Sequence, residues 1–334
     1  MRELLDPELA SIVAGMRARG ITGAFNDDIL KVRARFAAAV AAARASTPLP
    51  EVGSVEDRIA VHDGREVPVR IYRPIGVDTA PTCVFFHGGG FMLGSVELMD
   101  DIARKLCRDT GVIIVSVDYR LAPEHRFPAA HEDAFAATSW MIEQGAKIGG
   151  NGVFAVIGES AGANLAASTA LLLRDRGVRL AAQLLDSPGL DFARDLQRID
   201  VPPGDFPMLT CADLRIITST YLGEADPATF PPSPMRAADL TDSPPTIIAV
   251  AGCDPLQSEG IAYAKRLQAA GVPTIVRRFA DMFHPFLGFF AASRSAAAAN
   301  DLLCADLSQL LCRSDARSVT QIVATPEPRW MENL

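Results

Sequence analysis

Cysteine is scarce in this chain of 334 residues, and its six copies (Cys83, Cys107, Cys211, Cys253, Cys304 and Cys312) include no C-x-x-C pair. Most sit inside apolar segments, as buried reduced thiols do, which fits a cytoplasmic protein. Long apolar runs are missing too: none approaches the about 20 residues that span a bilayer, so no membrane anchor is expected. The first residues, MRELLDPELASIVAGMRARG, carry acids and lack an apolar h-region, so no signal peptide is expected either. There is no basic surplus. With 32 Lys and Arg against 40 Asp and Glu, the net charge of −8 excludes nucleic acid as a partner, because phosphate binding wants a concentrated basic surface. What remains is ordinary for a globular protein: 22% charged residues, 49% hydrophobic, and length enough to bury a large core without disulfide or metal.

The chain changes rhythm along its length. Residues 1–48 predict two helices: Asp6-Pro7 is a capping residue followed by proline at the first helical position, above Leu9, Ile12, Val13 and Met16. After Asn26-Asp27-Asp28, the residues Ile29, Val32, Phe36 and Val40 repeat at helical spacing. TPLPEVG breaks the pattern, and RIAVHDGREVPVRIYRP predicts a hairpin around Asp63-Gly64. Apolar β-rich runs then alternate with helical stretches: TCVFF, VIIVSV, VFAVIG, AAQLL, TIIAVAG and TIVRRF. The fold class is therefore α/β, a mostly parallel sheet with helices on both faces, opened by an antiparallel hairpin. Between DSPGLDF and PPTIIAV the alternation stops. There Thr210-x-x-Asp213 predicts a capping box, with Leu214, Ile217 and Tyr221 on one helical face. The stretch 192–230 is an expected insertion over the site, and 316–334 an expected tail after a core of 49–315.

The strongest local motif lies in VFAVIGESAGANLAASTALLL, residues 153–173. A β-rich run enters Gly158-Glu159-Ser160-Ala161-Gly162 and a helical run follows at once, the setting in which G-x-S-x-G carries meaning. Glycines at 158 and 162 remove a collision where strand and helix come close, and the Ser160 hydroxyl stands clear above a helix N-terminus. Serine at its ordinary acidity is a poor nucleophile and needs a base. Of five histidines, His62 falls in the hairpin, His87 before a glycine run, and His125 and His131 around the next loop and helix. His284 follows a late strand, on the rim where open α/β sheets gather reacting groups. Asp254 ends TIIAVAGC on the same rim and can hold the imidazole in one tautomer. Asp281 is nearer in sequence and is the rival, but Asp254 comes from a different strand end, as the geometry prefers. Glu259 and Asp191 read as surface or cap acids.

His87-Gly88-Gly89-Gly90 closes the run TCVFF. An oxyanion needs preorganised donors, and bare backbone at Gly88 and Gly89, with the amide of Ala161, can supply them. His87 reads as an organiser of that loop. In DYRLAPEHRFPAA, Asp118, Arg120 and Glu124 read as a mutual ion-pair network, stiffened by Pro123 and Pro128.

HGGGF, DYRLAPEHRFPAA, GESAGANLA, AGCDPLQSEG and MFHPF, taken together, resemble the hormone-sensitive-lipase-like esterases, the bacterial family IV carboxylesterases. The resemblance spans roughly residues 50–313, and the helical N-terminus fits that family's cap. It implies an α/β-hydrolase core, hydrolysis of small acyl or aryl esters, and no cofactor. Its triad falls on Ser160, Asp254 and His284, and its oxyanion glycines on Gly88 and Gly89. Two departures stand out: Ala163 replaces a second elbow glycine, and Pro285 follows His284 where a small residue is more usual.

The expected activity is that of a serine carboxylesterase on a small-molecule ester. A specialised acyltransferase or amidase would use the same triad; a non-catalytic receptor would have no need of all three residues. Apolar groups from the N-terminal helices, the insertion and the glycine loop should roof one bounded acyl pocket. Phe91, Met92, Met16, Phe206, Met208 and Ile217 are the expected lining residues. A second copy of the chain, as a homodimer, is the one macromolecular partner this leaves open.

Overall fold

The computed structural model describes residues 5–25, 27–197, 199 and 208–314. Its sheet opens with the hairpin expected around Asp63-Gly64: β1 (Ser54–His62) and β2 (Arg65–Arg73) pair antiparallel from Ser54–Arg73 to His62–Arg65. Asp63 and Gly64 have φ of 47° and 75°, the left-handed pair that a two-residue connection matched to strand twist requires. Six strands follow at the expected runs: β3 (Ala80–Phe86), β4 (Ile113–Val117), β5 (Gly150–Glu159), β6 (Ala182–Asp186), β7 (Thr246–Cys253) and β8 (Thr274–Phe283). The order across the sheet is β1-β2-β4-β3-β5-β6-β7-β8, parallel from β4 to β8, so these strand ends share one rim. β4, β6 and β7 are buried at every position, which is why their sequences read as unbroken apolar runs.

Strand alternation divides the core in two. Cys83, Phe85, Ile157, Leu184 and Ala249 face α3 (Asp100–Thr110) and α8 (Arg294–Ser314). Val84, Val156, Leu185 and Ile248 face α4 (Ala129–Gln144), α5 (Ala161–Arg174) and α7 (Gln257–Ala269).

The N-terminal helices form as expected. The Asp6 carboxylate accepts the amides of Glu8 and Leu9 at the start of α1 (Pro7–Ala18), and Asp28 caps α2 (Ile29–Arg44). They dock differently. Leu9 and Val13 join the α3–α8 face, whereas Val32 joins the other. The capping box is present at α6 (Cys211–Leu222): Asp213 N–H donates to Thr210 Oγ1 (3.1 Å) and Thr210 N–H to Asp213 Oδ2 (2.8 Å). The other oxygen, Oδ1, accepts the Phe25 amide at 2.7 Å, so one buried carboxylate joins α6 to the N-terminal segment.

The expected mutual network of Asp118, Arg120 and Glu124 does not form. Asp118 accepts the Val96 amide, Arg120 pairs with Glu132 and Asp133, and Glu124 pairs with Arg33 of α2. Each group finds a partner on the element packed against it, which local sequence does not reveal. Arg33 also donates from Nε to Met92 O and from Nη2 to Ala122 O, both at 2.9 Å. Hydrogen bonding to Arg33 pulls the Glu124 carboxyl down to about 2. A depressed acid stabilises the fold above its unfolded value and loses that contribution as pH falls towards about 2. Glu124 is half exposed and its charge is screened, so Arg33→Ala should cost about 1 kcal/mol in urea titrations at neutral pH, mostly through the lost bonds to the Met92 and Ala122 carbonyls. Arg33→Lys should recover less than half, since an ammonium cannot make the planar fork.

Candidate active site

The chain leaves β5 through Ser160, whose φ of 55° and ψ of −113° place it in strained backbone. Its neighbours allow the turn only as glycine. A Cβ on Gly158 would stand 2.2 Å from Gly162 O, and one on Gly162 would stand 2.0 Å from Phe86 O. The elbow is thus pressed on the end of β3 as well as on itself. Ser160 N–H donates to Asp186 O on β6 at 2.8 Å.

Ser160 Oγ lies 2.8 Å from His284 Nε2, and His284 Nδ1 lies 2.9 Å from Asp254 Oδ2. Asp254 Oδ1 accepts the Leu256 amide at 2.8 Å. The three residues are 8%, 4% and 2% exposed, a line of polar groups removed from water. With Nδ1–H donating to the carboxylate, Nε2 is left as an acceptor facing the hydroxyl, the arrangement that can take its proton. Asp281, the rival carboxylate, lies within β8, where its carbonyl accepts the Asp6 amide.

The glycine loop lies beside this line. Gly89 has φ +119°, and a Cβ there would meet Leu93 O at 2.3 Å. Among the described residues, the amides of Gly88, Gly89 and Ala161 donate to no acceptor. His87 is fully buried, with Nδ1 2.7 Å from Gly88 O, and its ring stacks on Tyr119 at 4.3 Å. Tyr119 Oη donates to His87 O (2.8 Å), and burial holds the imidazole below its ordinary range. A neutral ring fixed on both sides organises the loop.

The structure gathers Phe91, Met92 and Ile217 around the glycines. Gly90 faces Phe25 and Ile217, Phe91 stacks on Tyr221 at 3.9 Å, and the Met92 carbonyl is held by Arg33. Met16 is half-buried on α1, and Met208 packs on the core face that holds Phe283 and Phe286. Phe206 lies outside the described residues. Beneath this group runs a polar chain that the sequence did not disclose: Tyr221 Oη to His131 Nδ1 (2.7 Å), and His131 Nε2 to Asn164 Oδ1 (3.1 Å). Asn164 Nδ2 donates to Gly189 O and Pro232 O. Burial pushes His131 down to about 4, so the ring is neutral and serves as a fixed strut between α4, α5 and α6. Asn164 stands one helical turn after Ser160, and that spacing was the available signal.

Of the two readings of Glu259 and Asp191, the structure supports the cap and not the surface acid. Glu259 accepts the amides of Leu190 and Asp191 and pairs with Arg194 at 2.9 Å; Asp191 pairs with Arg236 at 2.7 Å. The buried loop leaving β6 presents amides that need acceptors, and these carboxylates provide them.

A sheet of this topology with a serine elbow after β5, an acid after β7 and a histidine after β8 defines an α/β hydrolase. A sequence model described as the alpha/beta hydrolase fold matches residues 83–288. The chain is 39% identical over 313 residues to the carboxylic ester hydrolase LipN of Mycobacterium tuberculosis, covering 90% of this chain and 82% of that one. It is 35% identical over 261 residues to an arylesterase of Saccharolobus solfataricus, covering 75% and 82%. A solved esterase of Pyrobaculum calidifontis superposes with a TM-score of 0.84 at 34% identity, over 92% of this chain and 99% of that one. The chain belongs to the hormone-sensitive-lipase-like family of α/β hydrolases, as HGGGF and GESAG suggested. No helix among the described residues is long and apolar enough to cross a membrane.

Proposed function

We propose that this protein is a serine carboxylesterase acting on short- to medium-chain acyl or aryl esters. The single observation that carries the proposal is the unbroken line from Ser160 Oγ through His284 to Asp254, beside three amides with no acceptor among the described residues. Ser160 attacks the ester carbonyl as His284 takes its proton, and His284 hands that proton to the leaving alcohol. Water then attacks the acyl carbon as His284 takes its proton, and His284 returns that proton to Ser160 Oγ as the C–Oγ bond breaks and the acid departs. Gly88, Gly89 and Ala161 receive the oxyanion in both halves. The esterase names of the relatives favour ester hydrolysis over acyl transfer or amide cleavage.

Residues 1–48 and the insertion 192–230 form a cap over this site in the same proposal, with Phe25 and Ile217 on its inner wall facing Phe91 of the glycine loop. Each methylene of an acyl chain buried there should add about 0.8 kcal/mol until the space is filled. Across p-nitrophenyl esters, kcat/KM should rise from acetate to about butyrate or hexanoate and then fall steeply. An optimum at dodecanoate would contradict a bounded pocket. A cytoplasmic address and a homodimer complete the proposal, tested by cell fractionation and by light scattering of the purified protein.

A further inference from the structure

Glu159 ends β5, immediately before Ser160, and its register partner on β6 is Asp186. Alternation sends both side chains to the face of Ile157 and Leu184, under α3 and α8. Glu159 is 3% exposed and Asp186 fully buried. Among the described residues, both Asp186 oxygens and Glu159 Oε2 have no hydrogen-bond partner, and neither carboxyl has a lysine or arginine in an ion pair. The adjacent Ser187 hydroxyl, the one group that favours ionised Asp186, lies outside bonding geometry.

The pair touches the site at two points. Asp186 O holds the Ser160 amide, and Glu159 Oε1 fills the space over Gly88, 2.5 Å from where a Cβ would stand. Two carboxyls at neighbouring strand ends in a dry place cannot both ionise. Resting on the esterase reading, we propose that Glu159 and Asp186 are positioning residues that share one proton, seating the Ser160 and Gly88 turns on a single negative charge. Loss of that proton puts a second charge beside the amides that receive the oxyanion. The penalty falls on the transition state, so kcat drops while KM holds.

The charges around the pair agree. Burial is the first cause raising Glu159, to about 7; His284, from the loop after β8, opposes it and Asp101 of α3 adds to it. Asp186 is held well above its ordinary range by burial, then by Glu159 and by Asp254 from the loop after β7. Tyr119, after β4, also senses Glu159, and His87, after β3, is kept neutral by burial. Ionisation of Glu159 at about 7 leaves the single charge and the shared proton, and that proton leaves only at the more alkaline pH to which Asp186 is held. Because both acids are raised in the folded state, stability is greatest at low pH and is lost as pH rises from their unfolded values through these ionisations.

Infrared difference spectra of the wild-type protein at neutral pH should show the carbonyl stretch of a protonated buried carboxyl. Glu159→Gln and Asp186→Asn should each remove it, because the amide supplies the missing hydrogen. The ratio of kcat at about pH 8 to that at about pH 10 should be some tenfold larger in wild type than in either variant, about 1.4 kcal/mol. The wild-type melting temperature should fall across the same range, and the variants should flatten that slope. A wild-type spectrum with no protonated carboxyl overturns the shared proton even if both variants fail to fold. Identical kcat ratios in all three proteins would overturn its effect on the site. Neither the spectrum nor the melting curve needs turnover, so both still test the pair if the protein proves not to be an esterase.

Discussion

Ser160→Ala should abolish turnover of p-nitrophenyl butyrate, lowering kcat roughly a million-fold while the substrate still binds. The reason lies in how few groups do the chemistry. Without Oγ there is nothing for His284 to deprotonate, and the amides of Gly88, Gly89 and Ala161 are left to stabilise attack by water alone. His284→Ala should cost about as much, because Ser160 at its ordinary acidity is a poor nucleophile. Asp254→Asn should cost less, about 10⁴-fold, because the ring stays in place but the wrong tautomer can present N–H to the serine. A fluorophosphonate should label wild type once, at Ser160, by mass spectrometry, and should label the His284 variant slowly. Labelling at another serine or a cysteine with loss of activity would mean that the nucleophile is elsewhere. Equal activity in wild type and Ser160→Ala would refute the mechanism outright.

Gly162→Ala should damage fold and rate together, by one methyl group. A Cβ at Gly162 would sit 2.0 Å from Phe86 O and 2.5 Å from His87 O, both backbone atoms at the end of β3. Neither can swing aside as a side chain would, so α5 must move off the sheet by more than an ångström. The expected cost is about 3 kcal/mol in urea titrations, at the upper end for overpacking. The same strand end carries His87 and Gly88, so the displacement also parts the proposed oxyanion donors from Ser160. A shift of that size costs about 100-fold in kcat. Gly15→Ala is the control: it lies in α1, exposed, and an added Cβ meets nothing within 4 Å. There alanine should stabilise by about 0.5–1 kcal/mol through helix propensity, with kcat unchanged. A Gly162→Ala protein as stable and active as wild type would show that the elbow has slack that the packing denies.

Much of this site is written in short stretches because its parts are local. Gly158 and Gly162 flank Ser160 within one turn, His87 and its glycines are contiguous, and β-rich runs separated by helices define a parallel sheet whose ends meet at one rim. The hairpin at Asp63-Gly64 and the capping box at Thr210 and Asp213 were legible for the same reason: a few adjacent residues determine the backbone there, and each satisfies its own hydrogen bonds.

Tertiary structure alone decided the pairings between distant elements. Arg33 reaches Glu124 across 91 residues of chain, Asp213 takes the Phe25 amide across 188, and His131 bridges Tyr221 and Asn164. In the sequence Asp118, Arg120 and Glu124 read as partners of one another, and Glu259 and Asp191 as surface or cap acids. Charge and hydrogen-bonding capacity are properties of a residue, but the partner is whatever the packing brings within about 3 Å. Glu159 shows the limit most plainly. Its place beside Ser160 was visible from the start, yet its chemistry depends on Asp186, which only the pairing of β5 with β6 sets against it in a place without water.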